Sequence, residues 1–205
     1  MFYDVKKGHG LSHDPFKAIV SPRPIGWVTT MSLNGEINLS PYSFFNIIAE
    51  RPHLVAFSSL GMKDAMTFAE QGGDFVCNLA TFDLRNQVNE TSSPFPRGIN
   101  EMAEVGLAAT PSHLVRPPRV TESPAALECK WVETIRLKDA GGEAAGFFLV
   151  IGEVVGVHID DQFLTDGVLD TAAMRPILRG GYFDYFVIND NSKFSMPRPE
   201  GGGRS

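Results

Sequence analysis

Residues 126–159 read ALECKWVETIRL, then KDAGGEAA, then GFFLVIGEVVGVHI. The outer runs are rich in β-branched and aromatic residues, and Leu127, Cys129 and Trp131 alternate with Glu128 and Lys130, as on a strand with one covered face. Gly141-Gly142 lies between the runs as a turn signal, so the stretch predicts one long antiparallel hairpin. Gly152 and Gly156, inside the second run, predict bends or bulges of the kind that turn barrel corners. A chain centred on a hairpin is not organised as βαβ units, whose parallel strands need a crossover helix.

The flanking sequence agrees. WVTTMSLNGEINLS (27–40) places Asn34-Gly35 between two strand-like runs, a strong local hairpin signal. LVAFSS (54–59) and DFVCNLA (74–80) read as strands, with a helix over KDAMTFAEQ (63–71) that Gly72-Gly73 would stop. DLRNQVNET (83–91) is a second helical stretch, and SSPFPRGINEMAEVGL (92–107) a Pro/Gly loop followed by a short helix opened by Asn100. GYFDYFVI (181–188) reads as a final strand. Pattern alone therefore predicts a mainly β domain over 1–190, an antiparallel barrel with small helices at its ends, and a flexible tail over 191–205.

Charge and composition limit the function. Hydrophobic residues make up 43% of 205, enough for a full core, and no run approaches the roughly 18 apolar residues of a membrane span. The first residues, MFYDVKKGHGLSHD, lack the apolar stretch of a signal peptide, so the expectation is a soluble, cytoplasmic protein. Eighteen basic residues against 24 acidic ones, with no basic cluster longer than Lys6-Lys7, argue against nucleic acid but leave room for a local site binding a small anion. Cys77 and Cys129 are not in a CxxC and read as reduced core residues.

Familiar catalytic constellations are missing from the sequence. The five histidines show no HxH or HExxH spacing, so no metal site is expected; no GxSxG elbow surrounds Ser58-Ser59, and no GxGxxG follows a strand. Asp160-Asp161 reads as a solvated turn and His158 as a surface histidine. Such a chain is a binder, or its cofactor carries the chemistry.

Three segments suit a phosphate-bearing ligand. In SPRPIGWVTT, Arg23 is held between two prolines, and its planar fork matches phosphate; an ordinary loop arginine is the competing reading. In INLSPYSFFN, Asn38, Ser40, Tyr42 and Ser43 cluster around Pro41, although turn serines are common. In SSLGMKDAMTF, Ser58, Ser59, Lys63 and Thr67 surround a helix start, an anion site if these groups are not merely caps.

The ordered series SPRPIGWVTT, NG, NLSPYSFFN, KDAMTF, DFVCNL, ETSSPFPRG, GEVVGVHIDD and LRGGYFDYF, over about residues 17–187, resembles the flavin reductase-like family of FMN-binding split barrels. The resemblance implies a six-stranded antiparallel barrel, a homodimer and FMN near the subunit boundary. It implies that Arg23 approaches the flavin phosphate and that Trp27, Thr29 and Thr30 run beside the cofactor. Asn38, Ser40, Pro41, Tyr42 and Ser43 would border the isoalloxazine; Ser58, Ser59, Lys63, Asp64 and Thr67 would hold the ribityl chain and phosphate. Gly180, Gly181 and Tyr182 would lie near the flavin edge, where this chain reads Leu-Arg-Gly-Gly, and Thr91 and Ser92 would cap the site or reach the partner. Phe44 and Phe45 read as core rather than flavin-stacking, Trp27 as either, and Trp131 as core or dimer interface.

The implied activity is an NAD(P)H-dependent flavin reductase, with NADH or NADPH as hydride donor and a monooxygenase or other acceptor downstream. No protein catalytic residue is expected, because hydride transfer to flavin needs alignment rather than an acid or base. An FMN-binding electron carrier of the flavoredoxin type that never meets a nicotinamide nucleotide is the alternative, and a pyridoxamine-phosphate-oxidase relative a third.

Overall fold

The computed structural model describes residues 1–197 and 199. Along the chain run α1 (Phe16–Ile19), β1 (Arg23–Pro24), β2 (Gly26–Met31), β3 (Ile37–Tyr42), β4 (Phe45–Ala49), β5 (Leu54–Leu60), α2 (Asp64–Gly72), β6 (Asp74–Leu79), α3 (Arg85–Glu90) and α4 (Glu101–Glu104). There follow β7 (Ala109–Thr110), β8 (Arg119–Val120), β9 (Ala125–Lys138), β10 (Ala144–Ile159), β11 (Leu164–Thr165), β12 (Val168–Leu169), β13 (Ile177–Arg179) and β14 (Tyr185–Val187).

The expected long hairpin is β9–β10, and it centres a seven-stranded antiparallel sheet of order β3-β2-β6-β9-β10-β5-β4. Both glycines lie where the pairing slips: the register shifts between Ile151 and Gly152 and again between Val154 and Gly156. At Gly152 a Cβ would come 2.2 Å from Cζ of the fully buried Phe75. The bulge brings backbone and ring too close for any side chain, so Gly152→Ala is expected to cost at least about 1–3 kcal/mol in chemical denaturation, the usual range for overpacking.

The two edge strands, β3 and β4, are neighbours in sequence, separated only by Ser43 and Phe44. A flat seven-stranded sheet would hold its edges far apart, so this linker forces the sheet to curl into a half-barrel whose seam runs along Tyr42–Phe45. Gly26 permits the closure: a Cβ there would meet the Phe45 ring at 2.7 Å. The resemblance implied six strands, and the seventh arises because β4 pairs with β5 over Phe45–Phe57 to Ala49–Leu54.

The core has two main clusters. One gathers Phe57, Met66, Phe75, Cys77, Cys129 and Val150 under α2, and the other Trp27, Leu39, Val88, Met102, Val120 and Ile177 under α3 and α4. Both cysteines are free and buried, as expected. Helix α2 ends at Gly73 in the left-handed region (φ 75°), as Gly72-Gly73 foretold. Asn100 caps α4 through its side chain.

The β2–β3 hairpin forms as expected around Asn34-Gly35, with Gly35 in the left-handed region (φ 88°). Three local expectations change. Residues 181–188 are not one strand, because Gly180–Asp184 form a tight turn and only Tyr185–Val187 pair, with β13. Phe44 is exposed at the seam rather than in the core, whereas Phe45 packs on it. His158 is not a free surface histidine: its Nε2 lies 2.5 Å from Oε1 of the fully buried Glu128. Part of the tail expected over 191–205 lies outside the described residues. Among the described residues, no helix is long and apolar enough to cross a membrane.

Candidate functional site at the barrel seam

Two adjoining clefts open along the seam. The larger, about 490 Å³, lies between β3, the start of α2 and the 91–95 loop, and is lined by Asn38, Ser40, Pro41, Tyr42, Lys63 and Asp64. The smaller, about 190 Å³, is lined by Ser43, Phe44, Ser58, Ser59 and Phe147 and shares Pro41, Tyr42 and Lys63 with the first. Eight of the fourteen cofactor-binding residues expected from the sequence line these two clefts, namely Asn38, Ser40, Pro41, Tyr42, Ser43, Ser58, Ser59 and Lys63, while Arg23 and Tyr182 line a separate cleft farther along the seam.

Helix α2 explains the polarity of this place. Its N-cap is Lys63, whose side chain makes no capping bond, and the N–H groups of Asp64 and Ala65, two residues that line the larger cleft, have no acceptor among the described residues. The helix dipole, two free donors and an adjacent ammonium together favour a bound anion. The carboxylate at the helix start itself, Asp64, is engaged by Arg97 (Nε to Oδ1 2.8 Å), a contact that also ties the loop over the cleft to α2.

The opposite wall is stiff. Trp27 is fully buried and donates from Nε1 to Thr91 Oγ1 at 2.9 Å. Asn78 Nδ2 donates to Trp27 O and to Thr29 Oγ1, and its Oδ1 accepts from Val120 N. Trp27 and Thr29 therefore have no surface for a ligand; they hold β2, β6 and the 91–95 loop behind the cleft, which corrects their expected cofactor contact. Thr30 is likewise buried. Thr67 lies a turn along α2, outside the cleft lining. Gly181 is buried against α1, where a Cβ would strike Ala18 Cβ at 2.4 Å; its role is close packing of the N-terminal segment.

Arg23 also departs from expectation. Its Nη1 donates to Lys17 O and Val20 O and its Nη2 to Gly180 O. The prolines do hold it rigidly, but its donors clamp backbone carbonyls.

Glu101 was missed. It is buried at the floor of the larger cleft, where Oε1 accepts from Asn38 Nδ2 at 2.6 Å and Oε2 from Leu39 N at 3.0 Å. Burial pushes its carboxyl above the usual range, against the pull of those bonds. Only its place just after the Asn100 cap hinted at it. Tyr42 sits beside it with its phenol pushed up by burial, a neutral hydroxyl at any physiological pH.

An antiparallel half-barrel with a phosphate-ready helix start and a rim of hydroxyls and aromatic rings at its seam defines a class of flavin-binding domains. Residues 20–176 match the Flavin reductase like domain, and the chain belongs to that family. A protein of Halalkalibacterium halodurans is 36% identical over 186 residues, covering 88% of this chain and 87% of its own. Nitrilotriacetate monooxygenase component B from Bacillus cereus superposes with a TM-score of 0.84 at 27% identity, covering 96% of this chain and 98% of that one. A protein with a split barrel domain from Shewanella frigidimarina shares the fold at a TM-score of 0.79 and 23% identity, with 90% of each chain covered. The protein is a flavin-related oxidoreductase of split-barrel architecture.

Proposed function

We propose that the protein is an FMN-dependent flavin reductase that takes hydride from NADH or NADPH. The observation that carries this reading is the uncapped start of α2 beside Lys63, opening on a cleft with serine hydroxyls at one end and the Pro41–Tyr42 wall at the other. The donor set fits FMN: Lys63 and the Asp64 and Ala65 N–H groups would hold its phosphate, Ser58 and Ser59 its polyol, and the Ser40–Ser43 segment its ring. When bound, FMN supplies the hydride-accepting ring. The chain's residues need only fix that ring, leave one face open to a nicotinamide and keep the phosphate end anchored, so a proton-shuttling side chain is not required. An absorption spectrum taken before and after anaerobic NADH or NADPH tests this. A yellow protein that bleaches with either nucleotide supports the reductase; bleaching by dithionite alone supports the electron carrier instead.

The same reading includes a homodimer. Ile47 on edge strand β4 and Val157 on β10 are exposed around an apolar hollow of about 270 Å³ that also includes Leu54, Leu127 and Val154. Apolar surface of this kind favours a protein partner over water, and a second copy would bring its own seam close by. Light scattering is expected to give twice the chain mass, and a monomer carrying flavin would refute this part of the proposal. A separate acceptor, a monooxygenase among the candidates, completes the scheme.

A further inference from the structure

A third cleft, of about 380 Å³, continues the seam beyond Ser43 and Phe44, which it shares with the smaller flavin cleft. Its walls carry Lys17, Arg23 and Arg179 against the single carboxylate of Asp14, in a chain whose net charge is −6. Asp14 is already in use, its Oδ1 accepting from Phe16 N at 2.9 Å.

The two arginines are set against each other by the fold. β1 pairs with β13 so that Arg23 stands directly across from Arg179, an arrangement that repels in an antiparallel pair. Neither forms a salt bridge among the described residues, and Arg23 Nε is buried with no acceptor. Burial first, and then Arg179, lower the pKa of Arg23, as expected for two cations lacking a counter-charge. Arg179 commits one Nη to Tyr182 O and keeps its other donors, and Lys17 Nζ has no partner among the described residues.

Aromatic rings complete the cleft. Tyr182, held at φ 52° by the Gly180–Asp184 turn, presents a half-exposed ring with His13 edge-on at 5.6 Å, and Phe44, 6.0 Å from the Arg23 guanidinium, lines the cleft at the seam. Cations without counter-ions beside exposed rings suit a phosphate joined to a planar base.

Resting on the reductase reading, we propose that this cleft binds the phosphorylated adenosine half of the nicotinamide dinucleotide, with Lys17 and Arg179 on its phosphates and Tyr182 and Phe44 on its adenine. The shared Ser43–Phe44 wall lets one ligand span from here to the flavin cleft. The cleft thus selects the reductant through the Leu-Arg-Gly-Gly segment, and Arg23 braces its floor.

The test uses FMN-loaded protein, titrated calorimetrically with ADP and with adenosine 2′,5′-bisphosphate, in the wild type and in Lys17→Gln/Arg179→Gln. At least one probe is expected to bind the wild type, and the double variant to bind it about tenfold or more weakly, the scale of one or two charge-assisted hydrogen bonds, with flavin content after gel filtration unchanged. The probe that binds tells whether the cations read the diphosphate or the 2′-phosphate. Lys17→Gln alone, at an exposed side chain, is expected to weaken binding several-fold even if the double variant folds poorly. The proposal is overturned if neither probe binds the wild type, if the variants bind equally well, or if the double variant sheds flavin, which would make this the flavin phosphate site. Probe binding that is lost in the variants, without bleaching by either dinucleotide, would sustain the site and sink the reductase reading. Bleaching with unchanged KM in the variants would do the reverse.

Discussion

Lys63→Ala is expected to weaken FMN binding roughly ten- to a hundredfold, the loss of one charge-assisted hydrogen bond of about 1.5–3 kcal/mol. Lys63 is the N-cap of α2, makes no capping bond, and lines both flavin clefts. Removing it leaves the anion site with helix dipole and two N–H groups but no full positive charge. Its side chain is exposed and joins no core cluster, so the melting temperature of the flavin-free protein should hardly change. Fluorescence titration of apoprotein with FMN measures the effect. Arg23→Ala is expected to lose less flavin, since the guanidinium binds the Lys17, Val20 and Gly180 carbonyls. Equal loss in the two variants would move the phosphate to the Arg23 end of the seam.

Glu128→Ala should be the most damaging single truncation for stability, by about 3–5 kcal/mol, or a drop of roughly 6–20 °C in Tm for a chain of this size. The carboxylate is fully buried and accepts from His113 N (2.7 Å), Leu114 N (2.6 Å) and the His158 ring (2.5 Å). It joins strands β9 and β10 to the 111–118 loop, and alanine would strand its donors without water. Burial alone would raise its pKa; the His113 N–H, the His158 ring and the Leu114 N–H outweigh burial and leave the pKa below the ordinary value. A lowered native pKa means stability that is present above the unfolded value, about 4.3, and lost as pH falls through the native one. Denaturation at pH 7 and in that acid window should show the wild type losing its advantage over Glu128→Gln as the carboxylate protonates. An advantage unchanged by acid would show that the carboxylate charge is not what stabilises the loop.

Much of the architecture was legible because it is written in short-range signals. The β9–β10 hairpin needs only alternation and a Gly-Gly turn, the bulges need Gly152 and Gly156, and α2 needs a run stopped by Gly72-Gly73. Each signal acts within a few residues, so no knowledge of distant contacts is needed. Local signals likewise place Ser40–Ser43 at the end of β3, Ser58-Ser59 near the end of β5 and Lys63 at the start of α2, but only the closed seam lays these three stretches along adjoining clefts.

What escaped depends on which strands meet. Whether Trp27 touches a ligand or a core turns on Thr91 lying behind it, 64 residues away. Arg23 looks like a phosphate ligand until the Gly180 carbonyl arrives from 157 residues on. His158 reads as a surface residue until Glu128 is placed across the hairpin, in a burial that alternation cannot foretell for a carboxylate. Local backbone preference settles the strands, the turns and the start of α2 along this chain. Curling the sheet until Ser43 and Phe44 close its seam settles which side chains share a cleft, because that closure brings together groups whose sequence separation carries no trace of their meeting.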